Sequence, residues 1–120
     1  MPITGLDHVQ VAIPRGGEDA ARGFYCALLG MTETPKPPAL AARGGCWFES
    51  GSAVIHLGVE APFTPARKAH PAFLIDDLDR LQADLEREGF ECARSDHELP
   101  GVLRFHTFDP FGNRIEFQQA

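Results

Sequence analysis

Leu6-Asp7-His8-Val9-Gln10-Val11-Ala12-Ile13 puts Val9, Val11 and Ile13 on one face and His8, Gln10 and Ala12 on the other. That is the two-residue period of a half-buried strand. The stretch decides the fold because its pattern restarts at His70, with His70, Ala72 and Leu74 on one face and Pro71, Phe73 and Ile75 on the other. Each copy leads to a helix closed by glycine and later to a strand carrying another side chain able to bind a metal. His56 falls 48 residues after His8 (56 − 8), and Glu116 falls 46 after His70 (116 − 70). A repeat of this period marks a duplicated unit that needs a neighbour to bury its core.

Working outward, Gly16-Gly17 breaks the first strand, and Glu18 to Leu29 sets Ala21, Phe24, Tyr25, Leu28 and Leu29 at helical spacing before Gly30. A short strand is expected near Met31 to Thr34. Thr34-Pro35-Lys36-Pro37-Pro38 reads as loop or edge, because three prolines remove ladder donors. Cys46 to Ser50 and Ala53 to Val59 form a hairpin turning at Gly51-Ser52, with Val54, His56 and Gly58 sharing a face.

In the second copy Asp76-Asp77 caps a helix with Leu78, Leu81 and Leu85 as its buried stripe and Gly89 as its stop. Strands follow at Phe90 to Arg94, Val102 to Phe108 and Asn113 to Gln118, the last two joined by the turn Asp109-Pro110-Phe111-Gly112-Asn113. Ile115 and Phe117 then face the core, and Arg114, Glu116 and Gln118 face away from it. The expected organisation is one domain over residues 1–120, with module one at about 1–59, a linker at about 60–69 and module two at about 70–120.

The bulk composition narrows the function classes. At 120 residues the chain suits a single domain, and its hydrophobic fraction of 43% includes no apolar run near the ~20 residues of a membrane span. Eleven Lys+Arg against 17 Asp+Glu give a net charge of −6, which opposes binding to nucleic acid. The three cysteines are odd in number and lack metal-finger spacing, and Met1 to Gly5 does not begin a secretory signal, so a cytoplasmic location is expected. Cys26 fits the apolar stripe of the first helix. No phosphate loop or hydrolase elbow is present.

The motifs Asp7-His8-Val9, Phe24-Tyr25 through Leu29-Gly30, His70 to Asp79, and Asp109 through Phe117 together resemble the vicinal oxygen chelate superfamily. That superfamily includes glyoxalase I, fosfomycin-resistance transferases, extradiol dioxygenases and bleomycin-resistance proteins. The resemblance implies an α+β fold of two βαβββ modules forming an incomplete barrel around a cleft, with a divalent metal (Zn, Ni, Mn or Fe) in sites often shared between two subunits. His8, His70 and Glu116 match the family's ligands, and His56 stands where glyoxalase I has a glutamate. The implied metal set is therefore His8, His56, His70 and Glu116, with Glu116 also the catalytic candidate and no organic cofactor site.

A metal-bound imidazole has no lone pair left to move a proton, so His56 departs from the glyoxalase I arrangement. Four such ligands would close a tetrahedral zinc site, whereas an octahedral ion would keep two positions open. The implied function is lyase or isomerase chemistry on a small substrate whose neighbouring oxygens chelate the metal. Extradiol-type oxygen chemistry and non-catalytic sequestration of a small molecule are the alternatives. A homodimer is expected, His8 and His56 of one chain facing His70 and Glu116 of the other. His97 and His106 read as surface or hydrogen-bonded residues, Arg67 and Lys68 as solvated linker charges with contact to an anionic substrate as the alternative, and Arg114 as solvent-exposed, salt-bridged or in contact with a substrate carboxylate. One of Trp47 and Phe48 belongs to the core, and one of Phe105 and Phe108.

Overall fold

The first alternating stretch becomes β1 (Val9–Ile13), which pairs in parallel with β4 (Ala53–Val59). Between them come β2 (Thr32–Thr34) and β3 (Cys46–Ser50), and the sheet order is β1-β4-β3-β2. The hairpin turn at Gly51-Ser52 sets the antiparallel register Trp47↔His56 and Phe48↔Ile55. Val11, Ile13, Cys46, Phe48, Ile55 and Leu57 are buried on one face, as alternation requires. Phe48 is thus the core member of its pair with Trp47.

The same plan recurs as β5 (Ala72–Ile75), β6 (Ala93–Ser95), β7 (Arg104–Phe108) and β8 (Arg114–Gln119), in the order β5-β8-β7-β6 with β5 parallel to β8. This computed structural model describes residues 1–120 and separates them into two compact units, Met1–Thr64 and Pro65–Ala120. Each unit carries one four-stranded mixed sheet, and neither sheet closes on itself. The architecture is α+β, two modules of the expected βαβββ plan. No helix is long and apolar enough to cross a membrane.

The helices cover the apolar faces. The first begins as α1 (Glu18–Ala21) and widens into a π-helical segment, Arg22–Leu28, where an ordinary helix was expected. The adjacent aromatics Phe24 and Tyr25 are both buried there, and the wider turn brings neighbouring side chains closer in angle so that both face inward. A short α2 (Pro38–Ala41) was not anticipated from the proline-rich segment. Pro38 sits in its first turn, where a missing N–H costs no helical bond.

In the second unit α3 (Leu78–Arg87) buries Leu78, Leu81 and Leu85. Asp77 caps it by accepting from the Arg80 amide at 3.1 Å, a contact worth about 1 kcal/mol. Phe105, Ile115 and Phe117 supply the facing core, and Phe108 is exposed.

The turn before β8 fixes the second sheet's register. The Asp109 carboxylate accepts from the amides of Phe111 and Asn113, both at 2.9 Å, and Gly112 takes a φ of +91°, a left-handed value that favours glycine. His106 consequently lies opposite Glu116, and Ala72 flanks Glu116 from the other side.

Candidate metal centre

Alternation puts Arg104, His106 and Phe108 of β7 on the same open face as Arg114, Glu116 and Gln118 of β8. His70 stands two residues before β5. Its Nε2 lies 3.0 Å from Glu116 Oε1, and His106 Nε2 lies 3.0 Å from that same oxygen. The two imidazoles meet edge to face with ring centroids 5.1 Å apart. One ligand atom from each of the three residues falls within 4.8 Å of the others.

Two of the three residues are held by groups outside the cluster. The Lys68 carbonyl accepts from His70 Nδ1 at 2.8 Å, which leaves the Nε2 lone pair directed at the cluster if the ring is neutral. Glu116 is 4% exposed; its Oε2 accepts from Gln118 at 2.6 Å and from Arg104 at 3.3 Å. The glutamate therefore holds one oxygen to its supports and presents the other to the two histidines.

The electrostatics suit cation binding. Burial works against the Glu116 charge, but the hydrogen bonds from Gln118, from His70 when its ring carries both protons, and from Arg104, together with the charge of His106, outweigh it and hold the carboxyl at about 2. Burial, and next the charge of Arg114, push His106 below its ordinary value, which favours the neutral ring a metal requires. Adjacent ligands around a metal at roughly 2.0–2.2 Å stand roughly 2.8–3.1 Å apart in octahedral geometry and roughly 3.3–3.6 Å apart in tetrahedral geometry. The 3.0 Å separations from Glu116 Oε1 match the octahedral spacing.

The other two sequence candidates lie in the first unit. His8 and His56 stack with ring centroids 3.9 Å apart, and His56 stacks on Trp47 at 4.0 Å, so both faces of the His56 ring are covered. His8 Nδ1 pairs with Asp7 at 2.8 Å. Burial, and after it the charge of His8, lower the His56 pKa. His8 and His56 thus meet each other, and His70 and Glu116 meet each other.

His106 is the residue that reading the sequence missed. The signal was present: His106 and Glu116 are equidistant from Phe111, the middle of the turn (111 − 106 and 116 − 111), so a tight hairpin must pair them. His97, by contrast, is exposed and outside the cluster. Burial pushes the thiols of Cys46 and Cys92 up to about 11, which keeps them protonated and unreactive at neutral pH.

The cluster opens into a cleft of about 440 Å³ within the second unit, lined by Lys68, Arg94, Arg104 and Arg114 as well as by the three ligand candidates.

The Glyoxalase/Bleomycin resistance protein/Dioxygenase superfamily model matches residues 5–117. Among solved structures, a protein from Bacillus anthracis assigned to the glyoxalase family is 51% identical, with a TM-score of 0.93 over 100% of this chain and 98% of that one. An integron cassette protein from the mobile metagenome of the Halifax Harbour sewage outfall is 20% identical, with a TM-score of 0.79 over 98% and 100% of the two chains. The genomically encoded fosfomycin resistance protein FosX from Listeria monocytogenes is 14% identical, with a TM-score of 0.78 over 99% and 95%. At such identities the last two speak to the fold alone. No curated protein matches the chain.

Proposed function

The chain belongs to the Glyoxalase/Bleomycin resistance protein/Dioxygenase superfamily, and from that premise we propose that it is a small metal-dependent enzyme whose ion is held by His70, His106 and Glu116. One observation carries the reading. His70 Nδ1 faces a carbonyl that can only accept, so a neutral His70 turns its Nε2 lone pair toward Glu116 Oε1 at 3.0 Å. Two acceptors that close need a positive charge between them, either a second proton on the ring or a cation.

A divalent ion there would supply a Lewis acid that chelates neighbouring substrate oxygens and stabilises negative charge developing on them. The chain's own residues do the rest. Lys68 and Gln118 orient the ligands, and Arg104 balances the glutamate. Glu116, held at about 2, stays ionised and acts as a ligand before it acts as a base. Lyase or isomerase chemistry is the first assignment. Two imidazoles and one carboxylate also form the facial set that suits ferrous iron, which makes extradiol-type oxygen chemistry the second.

The proposal extends to a homodimer in which His8 and His56 of one chain face His70 and Glu116 of its partner. His8 supports it: the ring lies before β1, its side chain 38% exposed and open to an incoming group. Sedimentation should give a dimer, and His8→Ala should weaken metal binding. A stable monomer with full-strength metal binding removes the shared site.

Equilibrium dialysis of chelator-free protein against zinc, manganese, nickel and ferrous iron tests the metal itself. Stoichiometric uptake of one of them is expected. No uptake of any, with His70 doubly protonated in nitrogen-15 spectra and tight capture of an organic ligand, overturns the reading in favour of sequestration.

A further inference from the structure

Charge in the cleft of the second unit runs against the charge of the whole chain, which is −6. Four cationic side chains line it, Lys68, Arg94, Arg104 and Arg114, against two carboxylates, Glu98 and Glu116. Arg94 is matched by Asp96 at 2.6 Å and Asp79 at 2.8 Å, and Arg104 by Glu116 and Glu98 at 3.3 and 3.5 Å. Lys68 and Arg114 make no ion pair, and neither side chain donates a hydrogen bond. Arg114 is also half-buried, where an uncompensated guanidinium is costly to keep. Arg104 adds a second unmet demand, because its enclosed Nε has no partner.

We propose that the ligand of this cleft is a small anion, with Arg114 as the principal group receiving its charge and Lys68 as a weaker one at the rim. The proposal rests on the metal reading above and adds the substrate class. Arg114 precedes Glu116 by two residues on the same strand face, so their backbones lie roughly 6–7 Å apart. A carboxylate, phosphate or phosphonate one or two bonds from the chelating oxygens spans that gap. A planar guanidinium can hold such a group through two parallel hydrogen bonds, which sets Arg114 above the exposed Lys68.

Oxamide, oxamate and oxalate provide the test, being nearly the same shape with charges of zero, minus one and minus two. Each is titrated calorimetrically into protein loaded with whichever of the four ions it takes up. Arg114→Gln should weaken oxalate by about tenfold or more, equivalent to about 1.4 kcal/mol, oxamate by less, and oxamide by under about twofold, since a charge-assisted hydrogen bond is lost only where the probe carries charge. Arg114→Lys should recover most of the oxalate affinity, and Lys68→Gln should cost about threefold.

Equal losses for all three probes, or none, overturn the anion assignment while leaving the metal site standing. Failure of the unaltered protein to take up any of the four ions in the dialysis above would sink the metal reading instead, so the two failures are distinguishable.

Discussion

Trp47, His56 and His8 in the first unit occupy the same strand positions as His106, Glu116 and His70 in the second. Trp47 pairs with His56 across one hairpin and His106 with Glu116 across the other. His8 and His70 each stand two residues before the position that flanks the central residue, Gln10 beside His56 and Ala72 beside Glu116. The outcomes differ: one trio is a stack of three rings at 3.9 and 4.0 Å, and the other is two imidazoles converging on one carboxylate oxygen at 3.0 Å. The same scaffold makes an aromatic stack or a candidate ligand set according to the central residue, because a carboxylate draws donors or cations to its edge and a ring offers its face.

The largest break in that comparison is at its centre. Glu116→Gln should lower metal affinity by more than about 100-fold, since supporting groups alone are worth 10–100-fold. Isothermal titration with zinc reads this directly, and an affinity unchanged by the substitution would mean that the carboxylate is no ligand.

The flanking partners come next. His106→Phe should cost about 10–100-fold in metal affinity, because it removes a ligand atom while keeping a ring of similar size. At the matching position Trp47→Phe should leave metal affinity within about twofold and lower stability by about 0.5–1.5 kcal/mol, the range of a stacked aromatic pair. Chemical denaturation and metal titration of both variants would show whether the halves divide in this way.

Smaller again is the support beneath the glutamate. Gln118→Leu removes the 2.6 Å hydrogen bond to Oε2 and should weaken metal by about tenfold, the lower end for such partners. It should also raise the Glu116 pKa, which carbon-13 carboxyl titration would detect.

The smallest effect is one of pH in the metal-free protein. His56 has a folded pKa below its ordinary 6.5, so the unfolded chain takes up a proton first as pH falls. Its contribution is fully present above pH 6.5 and is lost as pH falls through the folded value. His56→Phe should flatten the pH dependence of unfolding just below 6.5, and an unchanged slope would show that the imidazole is not held neutral.

How much was legible in the sequence follows the physics of each element. Strand faces were readable because alternation and burial are the same fact, as Ile55 and Leu57 against His56 show. Gly51-Ser52 and Asp109 to Asn113 were readable because turns demand particular residues. The π-helical widening at Phe24-Tyr25 was not, since it answers to tertiary packing of two adjacent aromatics.

The site was only partly legible. His70 and Glu116 announced themselves through the repeat, but His106 has tryptophan at the matching position, so the duplication that exposed the others concealed it. Only the register of the hairpin, a pairing rather than a pattern, brings it in.

Anomalous diffraction from crystals soaked in zinc, with data on both sides of the zinc edge, tests the central claim most directly. We expect one strong peak per chain within coordination distance of His70 Nε2, His106 Nε2 and Glu116 Oε1. A cluster with no peak, or zinc bound only at the His8–His56 stack, would contradict the account.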